Sequence, residues 1–211
     1  DLRKRYSQKL EHLSRVRSLE GTLVPGYPTL NAIGLAEDGT KALLYHETYS
    51  AEAPGFKRQN ELVKAAMRTI VTQLRTEGVG QICFVLARGF DDALLMRFID
   101  QDLTCQYVIR AQHLDRRVKG EQNKSQALKD QLATSEFKTT LDMHHPTVSE
   151  DGKVRYRKRK TEVRSSAIET ADYLLRTNAL RLTFKGKDKP SNNDADGWVL
   201  LTNLPIDNPE M

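Results

Sequence analysis

The chain has 211 residues, enough for one large domain or for a domain carrying an inserted subdomain, and enough to bury a core without disulfides. Lys and Arg outnumber Asp and Glu by 33 to 28, a formal charge of +5, which permits a nucleic-acid partner without demanding one. No window approaches the roughly 18 uninterrupted apolar residues of a membrane span, and the charged start Asp1, Leu2, Arg3, Lys4, Arg5 has no apolar stretch behind it, so a soluble cytoplasmic protein is expected.

Residues 2–17 alternate basic positions with Leu10, Leu13 and Val16 at helix-like spacing, until Gly21 and Pro25 break any helix that forms. Two β-rich runs, Tyr27 to Ala36 and Lys41 to Tyr49, flank the turn residues Glu37, Asp38, Gly39 and Thr40 and predict a hairpin. Leu62, Val63, Ala66, Met67, Ile70, Val71 and Leu74 then recur at three and four residues, with Gly78 just beyond. That spacing predicts a long amphipathic helix with a glycine C-terminus.

Ile82 to Ala87 is short, apolar throughout and rich in strand formers, so it reads as a strand inside a sheet covered on both faces. Asp91 or Asp92 is placed to cap a helix carrying Ala93, Leu94, Leu95, Phe98 and Ile99, and Cys105 to Ala111 supplies another buried strand. Cys83 and Cys105 fall in these two strands and read as reduced, packed thiols. Hairpin, helix, strand, helix, strand in that order gives an α/β fold with a mixed sheet flanked by helices.

Beyond Arg116 the pattern changes. A brief helical stretch at Gln126 to Leu132 precedes strand-like segments at 137–141, 154–168, 180–184 and 198–202, and Lys185 to Asp196 reads as a loop. Residues 1–114 are therefore taken as the first part of a core, 115–190 as a β-rich insertion, and 191–211 as a return to the core sheet. The segment from Lys153 to Arg164 is the strongest charge feature. As a strand it puts Val154, Tyr156, Lys158 and Lys160 on one face and Arg155, Arg157 and Arg159 on the other. Such a ribbon suits a phosphate backbone, read by charge rather than by sequence. An edge strand that uses its cations to block aggregation gives the same pattern. His144 and His145, followed by Pro146 and with no cysteine nearby, read as loop rather than metal site.

Three places together resemble the cut-and-paste DDE transposases, whose RNase H-like core is interrupted by a β-strand insertion. They are Val85, Leu86, Ala87, Arg88, Gly89, Phe90 and Asp91, followed after a helix by Tyr107 to Ala111; the run from Gly26 to Ser50; and Trp198 to Pro205. In that family the first of these reads Asp-Arg-Gly-Phe, so Ala87 stands where the second catalytic aspartate belongs. The resemblance implies strand cleavage and transfer with two divalent ions, Mg2+ or Mn2+, held about 3.5–4 Å apart by convergent carboxylates. A methyl group is no ligand, so the resemblance implies an inactive form.

It also implies that the first catalytic aspartate lies just upstream or is Asp1, and that the final glutamate sits on a helix past Met211. The expected partner is double-stranded DNA at transposon ends, bound by a homodimer. Arg88, Arg110 and His113 lie near the implied catalytic face, and Lys153, Arg155, Arg157, Lys158, Arg159, Lys160 and Arg164 form the basic ribbon. A non-catalytic DNA-binding derivative of such an enzyme is the alternative.

Overall fold

Side-chain alternation, turn residues and helix caps shape two compact units, 1–80 and 81–211, in the computed structural model. The structure describes residues 2–3, 11–18, 21–120, 123–148, 154–171, 173–184 and 197–206.

In the first unit, β1 (Leu2–Arg3), β2 (Ser14–Arg17) and β3 (Leu23–Tyr27) form an antiparallel sheet in the order β1-β3-β2. At 2–3 and 14–17 strands replace the helix expected from the spacing over 2–17, while residues 4–10 lie outside the described residues. Within β2, Ser14 and Val16 turn inward while Arg15 and Arg17 face solvent, a two-residue period that pairing with β3 enforces. β4 (Thr29–Leu35) and β5 (Lys41–Thr48) make the expected hairpin. Its turn is fixed by Asp38 Oδ1, which accepts the Thr40 N–H at 2.8 Å, and by Gly39 at φ +83°.

α1 (Gln59–Thr76) buries Val63, Ala66, Met67, Ile70 and Val71 along one stripe. It ends as its sequence dictates: the N–H groups of Glu77, Gly78 and Val79 return to the carbonyls of Gln73, Arg75 and Leu74, with Gly78 at φ +84°.

The second unit is a mixed α/β structure built on one large sheet. Its strands are β6 (Cys83–Leu86), β7 (Gln106–Arg110), β8 (Arg117–Lys119), β9 (Ser125–Ala127), β10 (Phe137–Val148), β11 (Val154–Thr170), β12 (Arg176–Phe184) and β13 (Trp198–Thr202). They run in the order β6-β7-β13-β12-β11-β8-β9, with β10 also on β11. Among the described residues only β6 and β7 are parallel; the other pairs are antiparallel. The strands in the span 115–190 thus continue the sheet that starts with β6 and β7.

α2 (Ala93–Arg97) is capped by Asp92, whose Oδ1 accepts the Leu95 N–H at 2.9 Å, and passes into a wider helical turn over Phe98–Asp102. Leu95, Met96, Ile99, Tyr107, Ile109 and Leu201 are fully buried together with Leu128 and Leu132 of α3 (Leu128–Ala133). Each such aliphatic side chain contributes roughly 1.5–3 kcal/mol by leaving water.

A hydroxyl network stitches three strands inside this core. Tyr107 Oη donates to Thr177 Oγ1 at 2.8 Å, Thr177 Oγ1 donates to the Thr202 carbonyl at 3.0 Å, and Thr202 Oγ1 donates back to the Tyr107 carbonyl at 2.6 Å. Burial pushes the Tyr107 phenol up to about 12, its hydrogen bond to Thr177 opposing part of the rise.

Three further expectations are corrected. β6 is not covered on both faces: among the described residues it is an edge strand paired only with β7, Val85 is 78% exposed, and Cys83 is an exposed rather than a packed thiol. An apolar run shows preference for strand, and burial of the second face needs a neighbouring layer that sequence alone does not supply. His144 and His145 lie in a strand, not a loop, because β10 runs through Pro146 to Val148. Among the described residues β10 pairs only with β11, and an edge strand tolerates a residue with no N–H. The stretch read as a loop over 185–196 lies outside the described residues.

Candidate nucleic-acid interface

The parallel pair β6 and β7 sends two carboxyl ends to the same edge of the sheet, where ligands of open α/β sheets commonly bind. Ala87 follows β6 in extended conformation (φ −74°, ψ 173°), exposed, with its carbonyl accepting the Phe90 N–H at 3.0 Å to start a turn of 3-10 helix over Arg88–Phe90. The register that pairs Leu86 with Ile109 brings Ala87 level with Arg110.

The nearest downstream carboxylate is already committed. Asp91 is buried, and its Oδ2 accepts the backbone N–H groups of Gln112 at 2.7 Å and His113 at 3.0 Å. Arg116 Nη2 stands 2.7 Å from Asp91 Oδ1 and donates to the Asp91 carbonyl at 3.3 Å. The carboxylate therefore ties the turn after β6 to the loop after β7. Among the described residues no three His, Cys, Asp or Glu side chains converge as metal ligands. A methyl at Ala87 and a spent carboxylate at Asp91 do not fit a pair of Mg2+ or Mn2+ ions, and no chemistry is routed through them. Asp1 lies outside the described residues.

The arginines near this edge have structural partners. The Arg110 guanidinium sits 4.8 Å over the Trp198 ring, which meets Phe184 edge-on at 5.7 Å. Arg88 is half-buried and engaged, whereas the His113 side chain is exposed beside the Asp91-held backbone.

The basic ribbon is formed by β10 and β11. β12 pairs with β11 only from Thr161 to Glu169, whereas β10 follows β11 from Arg164 back to Val154, so among the described residues 154–160 and its partner form a two-stranded extension. At about 3.4 Å per residue this is roughly 20 Å of ribbon. On one face Tyr156, Lys158 and Lys160 are exposed beside exposed Asp142 and His144; on the other Arg159 is half-buried next to Met143.

Lys158 Nζ reaches Asp142 at 3.0 Å, a solvated pair of little intrinsic strength that a phosphate can displace. Arg164 is drawn away from this surface, donating through Nη1 to the Ser135 carbonyl at 2.8 Å. Lys153 lies outside the described residues, as do the side chains of Arg155 and Arg157.

The structure thus brings Ala87, Arg88, Arg110 and His113 to one sheet edge and Lys158, Arg159 and Lys160 to the ribbon. The role of Arg116 and the Asp142 counter-charge are not legible in the sequence. Neither carries a local signal, because Arg116 meets Asp91 across 25 residues and Asp142 meets Lys158 only through strand pairing. No protein-family model matches the chain, and no characterised relative is found at a significant level.

Proposed function

We propose that this chain is a DNA-binding core of the cut-and-paste transposase type, RNase H-like in architecture, that holds double-stranded DNA on its basic ribbon and does not cut it. The observation that carries the reading is the two-stranded extension of β10 and β11, which presents Lys158 and Lys160 on one open face. Cations spaced along a ribbon meet successive phosphates without reading bases, so affinity without strong sequence preference follows. Cleavage draws no support: Ala87 offers no ligand, β6 is an edge strand among the described residues, and Asp91 is held by Arg116 and two amides.

The test is a fluorescence-anisotropy titration of duplex DNA with the chain and with a Lys158→Glu/Lys160→Glu variant. The expected outcome is duplex binding by the chain and a loss of about tenfold or more in the variant at low salt. Equal binding by both proteins overturns the reading.

A further inference from the structure

The exposed face of the ribbon carries one feature that phosphate binding does not use. Tyr156 is 70% exposed although it is large and mostly apolar. It shares its face with Lys158 and Lys160, and the cross-strand register adds His144 and Asp142. Lys158, Lys160, His144 and Asp142 are exposed and polar or charged, and Tyr156, paired across the strands with Pro146, keeps its ring open to solvent.

The spacing is regular. Tyr156, Lys158 and Lys160 follow one another at two-residue steps, roughly 6.8 Å each in an antiparallel strand. An open aromatic ring in line with two cations is the arrangement by which proteins hold unpaired strands, bases stacking on the ring while ammonium groups meet phosphates. In a duplex the base faces are occupied by neighbouring bases, and a side chain from outside meets only base edges and backbone. The ring therefore has a partner in an unpaired strand that it lacks in duplex.

We infer that the Tyr156, Lys158 and Lys160 face of the ribbon is a binding surface for unpaired DNA, with Tyr156 stacking on a base and the two lysines on flanking phosphates. This rests on the reading of the ribbon as a DNA-binding surface and adds a contact that only unpaired DNA can make. Asp142, already paired with Lys158, favours a ligand that brings its own phosphate to that lysine.

The experiment compares an oligothymidylate with a duplex of equal length, titrated into the chain and into Tyr156→Ala, Tyr156→Phe and Lys158→Glu/Lys160→Glu. Circular dichroism checks that each variant is folded. The expected result is that Tyr156→Ala weakens oligothymidylate binding about tenfold while duplex binding changes less than twofold, Tyr156→Phe restores it, and the lysine variant weakens both.

If Tyr156→Ala leaves oligothymidylate binding within twofold, or weakens both ligands equally, the inference is overturned. The lysine variant separates the two levels. Loss of duplex binding there keeps the ribbon as a DNA-binding surface even when the tyrosine result fails, and no loss removes both.

Discussion

Asp91 Oδ1 and Arg116 Nη2 stand 2.7 Å apart with both side chains withdrawn from solvent, and this pair, with two backbone amides on Asp91 Oδ2, holds together the turns that follow β6 and β7. A carboxylate so engaged is a structural strut. Removing one partner of a buried pair strands the other charge, which costs about 3–5 kcal/mol. Asp91→Ala is expected to lower the unfolding free energy from denaturant titration by that amount, and replacing both residues by Leu to cost less than the sum of the single changes. Unchanged midpoints would remove the strut.

Tyr107 gives the chain an alkaline signature. Its phenol, pushed to about 12 by burial, keeps its proton in the folded state over a range where an unfolded tyrosine, near 10, has lost it. The folded state binds the extra proton, so this contribution is complete below about pH 10 and is lost as pH rises from about 10 to 12, by roughly 2–3 kcal/mol. Tyr107→Phe is expected to cost about 1 kcal/mol at neutral pH, through its lost hydrogen bond to Thr177, and to flatten that decline. Chemical denaturation of both proteins at pH 9, 10 and 11 checks the difference.

Gly197 and Gly89 are expected to respond oppositely to alanine. At Gly197 the backbone is left-handed, φ +92°, and an added Cβ would lie 1.8 Å from the Leu182 carbonyl oxygen, where β13 joins β12. Gly197→Ala should cost about 3 kcal/mol or prevent folding. At Gly89, inside the motif that carries the family resemblance, nothing lies within 4 Å of the added atom, and the change should stay within about 0.5 kcal/mol. Thermal melts of the two variants make the comparison.

Much of the local structure was legible because it is written in short-range chemistry. Asp38 and Gly39 announced the hairpin turn, the three-and-four spacing with Gly78 announced α1, and the paired aspartates announced the start of α2, where Asp92 proved to be the cap. What was misread depends on distant strands. Cys83 and Val85 are exposed because of what does not lie beside β6 among the described residues, Val16 is buried by pairing with β3, and Arg164 turns to Ser135 across 29 residues. Ala87 was located by motif order alone, and its surroundings came only from the pairing of β6 with β7.

Metal removal is expected not to weaken DNA binding. Because Ala87 supplies no carboxylate and Asp91 is spent on Arg116, duplex affinity in EDTA should be no weaker than in Mg2+ or Mn2+, which only compete for the phosphates. Ala87→Asp changes an exposed position and should alter stability by less than about 0.5 kcal/mol. A chelator-dependent loss of binding in the unmodified chain would show a metal contact that this account lacks.

If the ribbon holds DNA through Lys158 and Lys160, the salt dependence of duplex binding shows it. Each lysine that neutralises a phosphate contributes about 0.9 to the slope of log affinity against log salt. The Lys158→Glu/Lys160→Glu variant is expected to show a slope shallower than that of the unmodified chain by about 2. Parallel lines for the two proteins would place the DNA elsewhere and contradict the account.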